Sequence, residues 1–267
     1  METSKIMFIN AIENLSVDAN YLTKIDFLSN LKQLKVLNLS RNELITDYSP
    51  LAKITTLEEL KLMGNDLPNI DFLQSLSNLK ILELSNNDTV QDFSKLSNLL
   101  KLERLSLADD GIKSIDFVKN LTQLKELSLS ENGGISDYSP LANLVNLTEL
   151  FLGSNNLSEV SLSRKRGKPR KLDLSNNKNI MDYSPLYALP ELRKLFLVEN
   201  SLESIDFIKG IVNLRSLNLV LNLGISDFSV LKEMKKLKRL YLSKNCVDEK
   251  EAINGMLPEL KVKLSSH

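Results

Sequence analysis

The sequence predicts an α/β solenoid, with a parallel sheet on its concave face, short 3-10 or helical segments on its convex side, and a cap at each end. Three observations carry this. The frame LxxLxLxxN, as in Leu34-Lys35-Val36-Leu37-Asn38-Leu39-Ser40-Arg41-Asn42, returns along the whole 267-residue chain, and such a period takes precedence over local propensity. Its closing residue falls at Asn20, Asn42, Asn65, Asn87, Asp110, Asn132, Asn155, Asn177, Asn200, Asn222 and Asn245, eleven copies whose spacing alternates between 22 and 23 residues. The true unit is therefore a pair of 45 residues. The segment after each closing residue alternates as well: Ile-Asp-Phe at 25–27, 70–72, 115–117 and 205–207, and Asp-Tyr/Phe-Ser at 47–49, 92–94, 137–139, 182–184 and 227–229.

Each part of the frame has a physical task. A strand sends alternate side chains to opposite faces, so Leu37 and Leu39 point inward while Asn38 and Ser40 point outward, and stacked copies lie ~4.8 Å apart. One copy cannot bury its own apolar face, so its neighbours must cover it. Each inward Leu then contributes roughly 1.5–3 kcal/mol. The closing Asn carries both donor and acceptor groups, which suits it to tie one coil to the next, whereas an ionised Asp110 only accepts. The rung at Asp110 is expected to be weaker. The Ile-Asp-Phe and Asp-Tyr-Ser segments return the chain along the convex side with their aromatic rings toward the core.

Taken in order, residues 1–11 form an N-terminal cap through Ile6, Phe8 and Ile9, residues 12–246 are the repeats, and residues 247–267 form a C-terminal cap. The first frame uses Ile12, Leu15, Val17 and Asn20. Residues 161–171 break the pattern: Pro169 stands where a Leu is due, and Arg164, Lys165, Arg166, Lys168, Arg170 and Lys171 crowd a short loop. The loop reads either as an anion-binding patch or as a degenerate repeat with a solvated face. Beyond the last repeat, Asp248-Glu249-Lys250-Glu251 has capping-box spacing, predicting a helix over about 248–256 that ends at Gly255 and Pro258. Leu257, Leu260, Val262 and Leu264 continue as a last strand.

This is the leucine-rich repeat pattern, a horseshoe solenoid. Its short period and the wording of residues 42–57 most resemble the bacterial internalins. The pattern is also similar to the leucine-rich regulatory subunit of eukaryotic protein phosphatase 1. The resemblance covers about residues 12–264 and rests on residues that build the coil. It implies a recognition protein of bacterial type; the alternative is an intracellular regulatory subunit of a phosphatase-like enzyme.

Composition narrows the rest. Lys+Arg and Asp+Glu both number 34, so no global basic field argues for nucleic acid. Cys246 is alone and His267 is the only histidine, which leaves no internal disulfide and no activated thiol. No phosphate loop, dinucleotide motif or metal-ligand cluster is present. No catalytic residue, cofactor or metal is expected. No apolar stretch reaches bilayer length, and residues 1–15 do not form a signal peptide. A cytoplasmic monomer is expected, with export by an unrecognised route, or a signal already removed, as the alternative. Sequons at Asn38, Asn120, Asn146 and Asn156 fall out of the repeated wording.

The outward strand position, between the two inward Leu residues, is free of the repeat's constraints. It is polar through the first copies and then reads Phe151, Asp173, Phe196, Asn218 and Tyr241, which places the aromatics ~10 Å apart in a row. The next outward position adds Val198 and Val220, with Leu221 beside it. The residues ahead of the strands turn basic in the second half, among them Lys194, Arg215 and Arg239. Aromatic and Arg side chains anchor protein interfaces. The expected ligand is a protein with an acidic surface. Anion or nucleic-acid binding through the basic loop Arg164–Lys171 is the reading from a different class.

Overall fold

The computed structural model describes residues 11–160, 169–244 and 246–265. The expected N-terminal cap residues Ile6, Phe8 and Ile9, the loop cations Arg164, Lys165, Arg166 and Lys168, and Asn245 and His267 lie outside the described residues. The chain divides into two compact units, residues 1–132 and 133–267, built to the same plan.

In the first unit the strands are β1 (Asn14–Ser16), β2 (Val36–Asn38), β3 (Glu59–Lys61), β4 (Ile81–Glu83), β5 (Arg104–Ser106) and β6 (Glu126–Ser128). Each pairs in parallel with the next in chain order. In the second unit β7 (Glu149–Phe151), β8 (Lys171–Asp173), β9 (Lys194–Phe196), β10 (Ser216–Asn218), β11 (Arg239–Ser243) and β12 (Lys261–Ser265) do the same. Leu37, Leu39, Leu60, Leu172 and Leu217 are fully buried, as the alternation of a strand requires. This is the leucine-rich repeat solenoid.

The returning side is built of five-residue 3-10 turns. The first unit carries η1 (Asp26–Asn30), η2 (Ser49–Lys53), η3 (Asp71–Ser75), η4 (Ser94–Asn98) and η5 (Asp116–Asn120). The second carries η6 (Ser139–Asn143), η7 (Ser184–Ala188), η8 (Asp206–Gly210) and η9 (Ser229–Glu233). The Asp of Asp-Tyr/Phe-Ser starts its turn: Asp47, Asp92, Asp137, Asp182 and Asp227 each accept the amide N–H two residues on, at 2.7–2.8 Å. That bond holds each carboxyl below the usual range. The aromatic next in the chain turns inward and stacks on the ring of the next coil, Tyr48 on Phe72 at 6.0 Å, Phe93 on Phe117 at 6.0 Å and Tyr183 on Phe207 at 4.9 Å. Phe27 departs from the expectation at 46 % exposed; among the described residues it stacks on no ring.

The closing residues from Asn42 to Asn222 are all buried and form ladders within each unit. Asn177 shows the geometry: its Oδ1 accepts from the N–H of Asn155 and Leu157, both at 3.0 Å, and its Nδ2 donates to the carbonyls of Leu152, Leu174 and Ser175. Asn20, in the first coil, is exposed; its side-chain amide donates to the Asp18 carbonyl and its own N–H donates to Asn42 Oδ1. The residue ahead of the closing position adopts positive φ throughout, including Arg41, Gly64, Asn86, Asp109, Glu131, Ser154, Asn176, Glu199 and Leu221. In alternate copies the residue after it does so too, at Tyr21, Asp66, Gly111, Asn156 and Ser201. The 22/23 alternation is thus written in the backbone: the doubly turned copies offer a second N–H to the next rung, as Leu67 and Leu157 do at 3.2 and 3.0 Å.

At the far end, α1 (Val247–Met256) matches the expected helix to within a residue, but its N-cap is Cys246 and no side chain caps it. The capping-box spacing from Asp248 misplaces the start because the helix begins directly after the last coil. The last strand begins at Lys261, after Leu257 and Leu260, and pairs with β11 over five residues.

Candidate partner-binding face

The register of the second unit lines its outward side chains into columns. Phe151, Asp173, Phe196, Asn218, Tyr241 and Lys263 fall in one, and Glu149, Lys171, Lys194, Ser216, Arg239 and Lys261 in its neighbour. Phe151, Phe196 and Tyr241 are half-buried. Lys171 Nζ stands 4.4 Å from the Phe151 ring while binding Glu149 at 3.0 Å, and Lys263 Nζ lies 5.8 Å from the Tyr241 ring. Such cation–ring contacts pre-order the aromatic. Phe196, between them, carries no cation of its own among the described residues.

A third column lies just ahead of the strands and divides the two units chemically. In the first unit it reads Glu13, Lys35, Glu58, Lys80, Glu103 and Lys125, and it pairs with itself: Lys35–Glu13 at 3.0 Å, Lys80–Glu58 at 2.6 Å and Lys125–Glu103 at 2.6 Å. Lys61 bridges Glu59 and Glu83 on the same face at 3.3 and 3.2 Å. In the second unit the column reads Thr148, Arg170, Arg193, Arg215 and Lys238. The carbonyls of Arg170, Arg193 and Arg215 accept the N–H groups of the next coil, so these side chains follow one another at strand spacing. Among the described residues Lys194, Arg215 and Arg239 are exposed and form no ion pair, and Arg193 reaches Glu191 only at 3.9 Å.

Of the residues singled out from sequence, Phe151, Phe196, Tyr241, Lys194, Arg215 and Arg239 share this face. Val198 is half-buried at its margin and Leu221 is 37 % exposed. Val220 is not outward. It is 1 % exposed, and the same position shows why: Ser40, Ser85 and Ser175 there turn against the next coil and accept its N–H at 3.1–3.2 Å. The slot is enclosed, and Val220 fills it with a methyl pair. Arg170, which the sequence places both in the basic loop and ahead of a strand, stands in the cation column. Leu223, two residues past Leu221, is also apolar and is 61 % exposed. It stands where other copies have Glu43, Asp88 and Lys178, a contrast visible in the sequence.

Nothing in the described residues gathers three or more candidate metal ligands. Burial and then Glu249 push the Cys246 thiol up, the opposite of the lowered value that activates a cysteine. No helix among the described residues is long and apolar enough to cross a membrane.

Comparison with known proteins agrees with this architecture. The family described as Leucine Rich repeats (2 copies) matches residues 11–53, 100–143 and 122–164. A sequence search of curated proteins finds no match. Among solved structures, the chain is similar to internalin InlF of Listeria monocytogenes at 25 % identity and a TM-score of 0.79, over 98 % of this chain and 83 % of that one. It is also similar to internalin InlC2 of the same organism, at 28 % identity and a TM-score of 0.56, over 89 % and 84 %. TLR13, in its complex with ssRNA13, shares the fold alone at 22 % identity and a TM-score of 0.70, over 88 % of this chain and 37 % of that one. The chain shares the leucine-rich repeat fold of these proteins and is similar to the internalins in its repeats.

Proposed function

We propose that the chain is a non-enzymatic, bacterial recognition protein that binds an acidic partner protein on the outward sheet face of its second unit. One observation carries the reading: the aromatic column Phe151–Phe196–Tyr241 runs beside Lys194, Arg215 and Arg239, which form no ion pair among the described residues, while the charges ahead of the strands of the first unit pair among themselves. Complementary charge steers association, and half-buried aromatics supply the anchoring contacts. Val198, Leu221 and Leu223 extend the apolar margin. The reading takes the chain as a monomer acting in the cytoplasm, which light scattering and fractionation of the source cells check.

The test is capture of a partner from bacterial and host-cell lysates by wild type and by a Phe196→Ala/Tyr241→Ala variant. A protein retained by wild type, lost by the variant and identified as acidic on its contacting surface supports the reading. Equal capture by both overturns the assignment of this face. A phosphatase catalytic subunit among the captured proteins favours the regulatory-subunit alternative. Recovery of nucleic acid instead, with a steep salt dependence, favours anion binding through Arg164, Lys165, Arg166, Lys168 and Arg170.

A further inference from the structure

We propose that Asp110 is a proton-operated rung, closing the ladder of the first unit as the neutral acid and loosening it when ionised. Asp110 is the one closing residue from Asn42 to Asn222 that is not Asn, and it is 1 % exposed. Its Oδ1 does what an Asn Oδ1 does, accepting the Asn87 N–H at 2.7 Å. Its own N–H donates to Asn132 Oδ1 at 3.2 Å. Its Oδ2 is buried and has no hydrogen-bond partner among the described residues.

The other rungs of the same parity show what belongs at that atom. Asn65 Nδ2 donates to the Leu39 carbonyl at 3.1 Å, and Asn200 Nδ2 donates to the Leu174 carbonyl at 3.0 Å, in both cases 26 residues upstream. The matching carbonyl for Asp110 belongs to Leu84, which already accepts from Asn87 Nδ2. A carboxylate oxygen placed there turns one acceptor toward another. A carboxylic acid carries a proton into the same gap and donates as the amide does.

The surroundings hold the group neutral. The charged side chains facing it are Asp109 on its own coil and Asp88 on the preceding one, and both oppose ionisation, while Asn87 and Asn132 on the flanking rungs are uncharged. Among the described residues no cation pairs with it. Burial first, then those two carboxylates, raise its pKa to about 7 against the single lowering bond from the Asn87 N–H.

A carboxyl raised in the folded state is protonated there at pH values where the unfolded chain, titrating near ~3.9, has released its proton. Its contribution is whole below about pH 4, declines as pH rises, and is gone above about 7. Between pH 5 and pH 8 it amounts to roughly a hundredfold in the folding equilibrium.

The experiment is equilibrium unfolding of the full chain in urea from pH 5 to pH 8, for wild type and Asp110→Asn, with the Asp110 carboxyl carbon followed by NMR in wild type. The expected result is a roughly hundredfold wild-type loss that Asp110→Asn largely abolishes, with a carboxyl midpoint near 7. Parallel pH profiles for the two proteins, or a carboxyl that titrates near 4, would overturn the proposal. The NMR titration decides alone if the variant does not fold.

Discussion

Leu221 holds a conformation that suits it poorly. Its φ of 62° lies in the left-handed region, which costs an L-residue with a bulky side chain roughly 1–2 kcal/mol. The other copies spend that position on Arg41, Gly64, Asn86, Asp109 and Asn176. Its side chain repays little by burial, being 37 % exposed. Replacing Leu221 by Asn, which tolerates this region, is expected to stabilise the fold by roughly 0.5–1 kcal/mol while weakening partner capture. Urea unfolding and a binding isotherm on the same variant read the two effects separately. Loss of stability with intact binding would show that Leu221 is kept for packing. Backbone sign cannot be seen in a sequence, so the residue is conspicuous there only as an apolar side chain near the outward face.

At the scale of the element, the 3-10 turns contain a natural comparison. Tyr48 donates from its hydroxyl to the Asn65 carbonyl at 3.3 Å, whereas the buried hydroxyls of Tyr138 and Tyr183 have no partner among the described residues. Phe93 and Phe228 occupy the same position without a hydroxyl. An unpaired buried hydroxyl costs about 1–3 kcal/mol, and a made bond returns about 1. Tyr183→Phe is therefore expected to hold or raise the melting temperature, and Tyr48→Phe to lower it. Burial alone pushes the Tyr183 phenol up to about 12, which alkaline spectrophotometric titration of wild type against Tyr183→Phe checks. The ladders give a larger contrast. Asn177→Ala strands two N–H groups and three carbonyls and is expected to cost over ~3 kcal/mol, while Asn20→Ala, in an exposed rung, costs little.

For the whole molecule, two opposing titrations set the pH of greatest stability. Asp47, Asp92, Asp137, Asp182 and Asp227 are held low by the Ser N–H groups they accept. Their contribution is present above the unfolded carboxyl pKa of ~3.9 and is lost as acid protonates them. Asp110 acts the other way, losing its contribution as pH rises toward 7. Thermal unfolding across pH is expected to peak near pH 5, on the acid side of neutrality. Much of the fold was legible because it rests on patterns: Leu37 and Leu39 inward, Asn42 tying coils, and Asp47 opening a turn. The binding face was legible only in its residue types. That Lys35 and Glu13 neutralise each other while Arg215 stays unpaired depends on neighbours 22 residues away, and that Val220 is enclosed depends on the coil laid over it.

The alternating left-handed residues also decide where this chain tolerates being cut and rejoined. Gly111 follows its rung with the same sign of φ as Asp66 follows Asn65, so excising 66–110 joins like to like and removes one whole coil pair. Excising 66–87 instead joins Asn65 to Asp88 and sets two coils of one parity side by side. Two singly turned coils then follow one another, and the doubly turned start at Asp66, with the Leu67 N–H that it offers to a rung, is lost. The shortened chain of the first kind is expected to unfold cooperatively in urea, and that of the second kind to unfold at lower denaturant with a broadened transition. Length in this protein is a quantity counted in pairs.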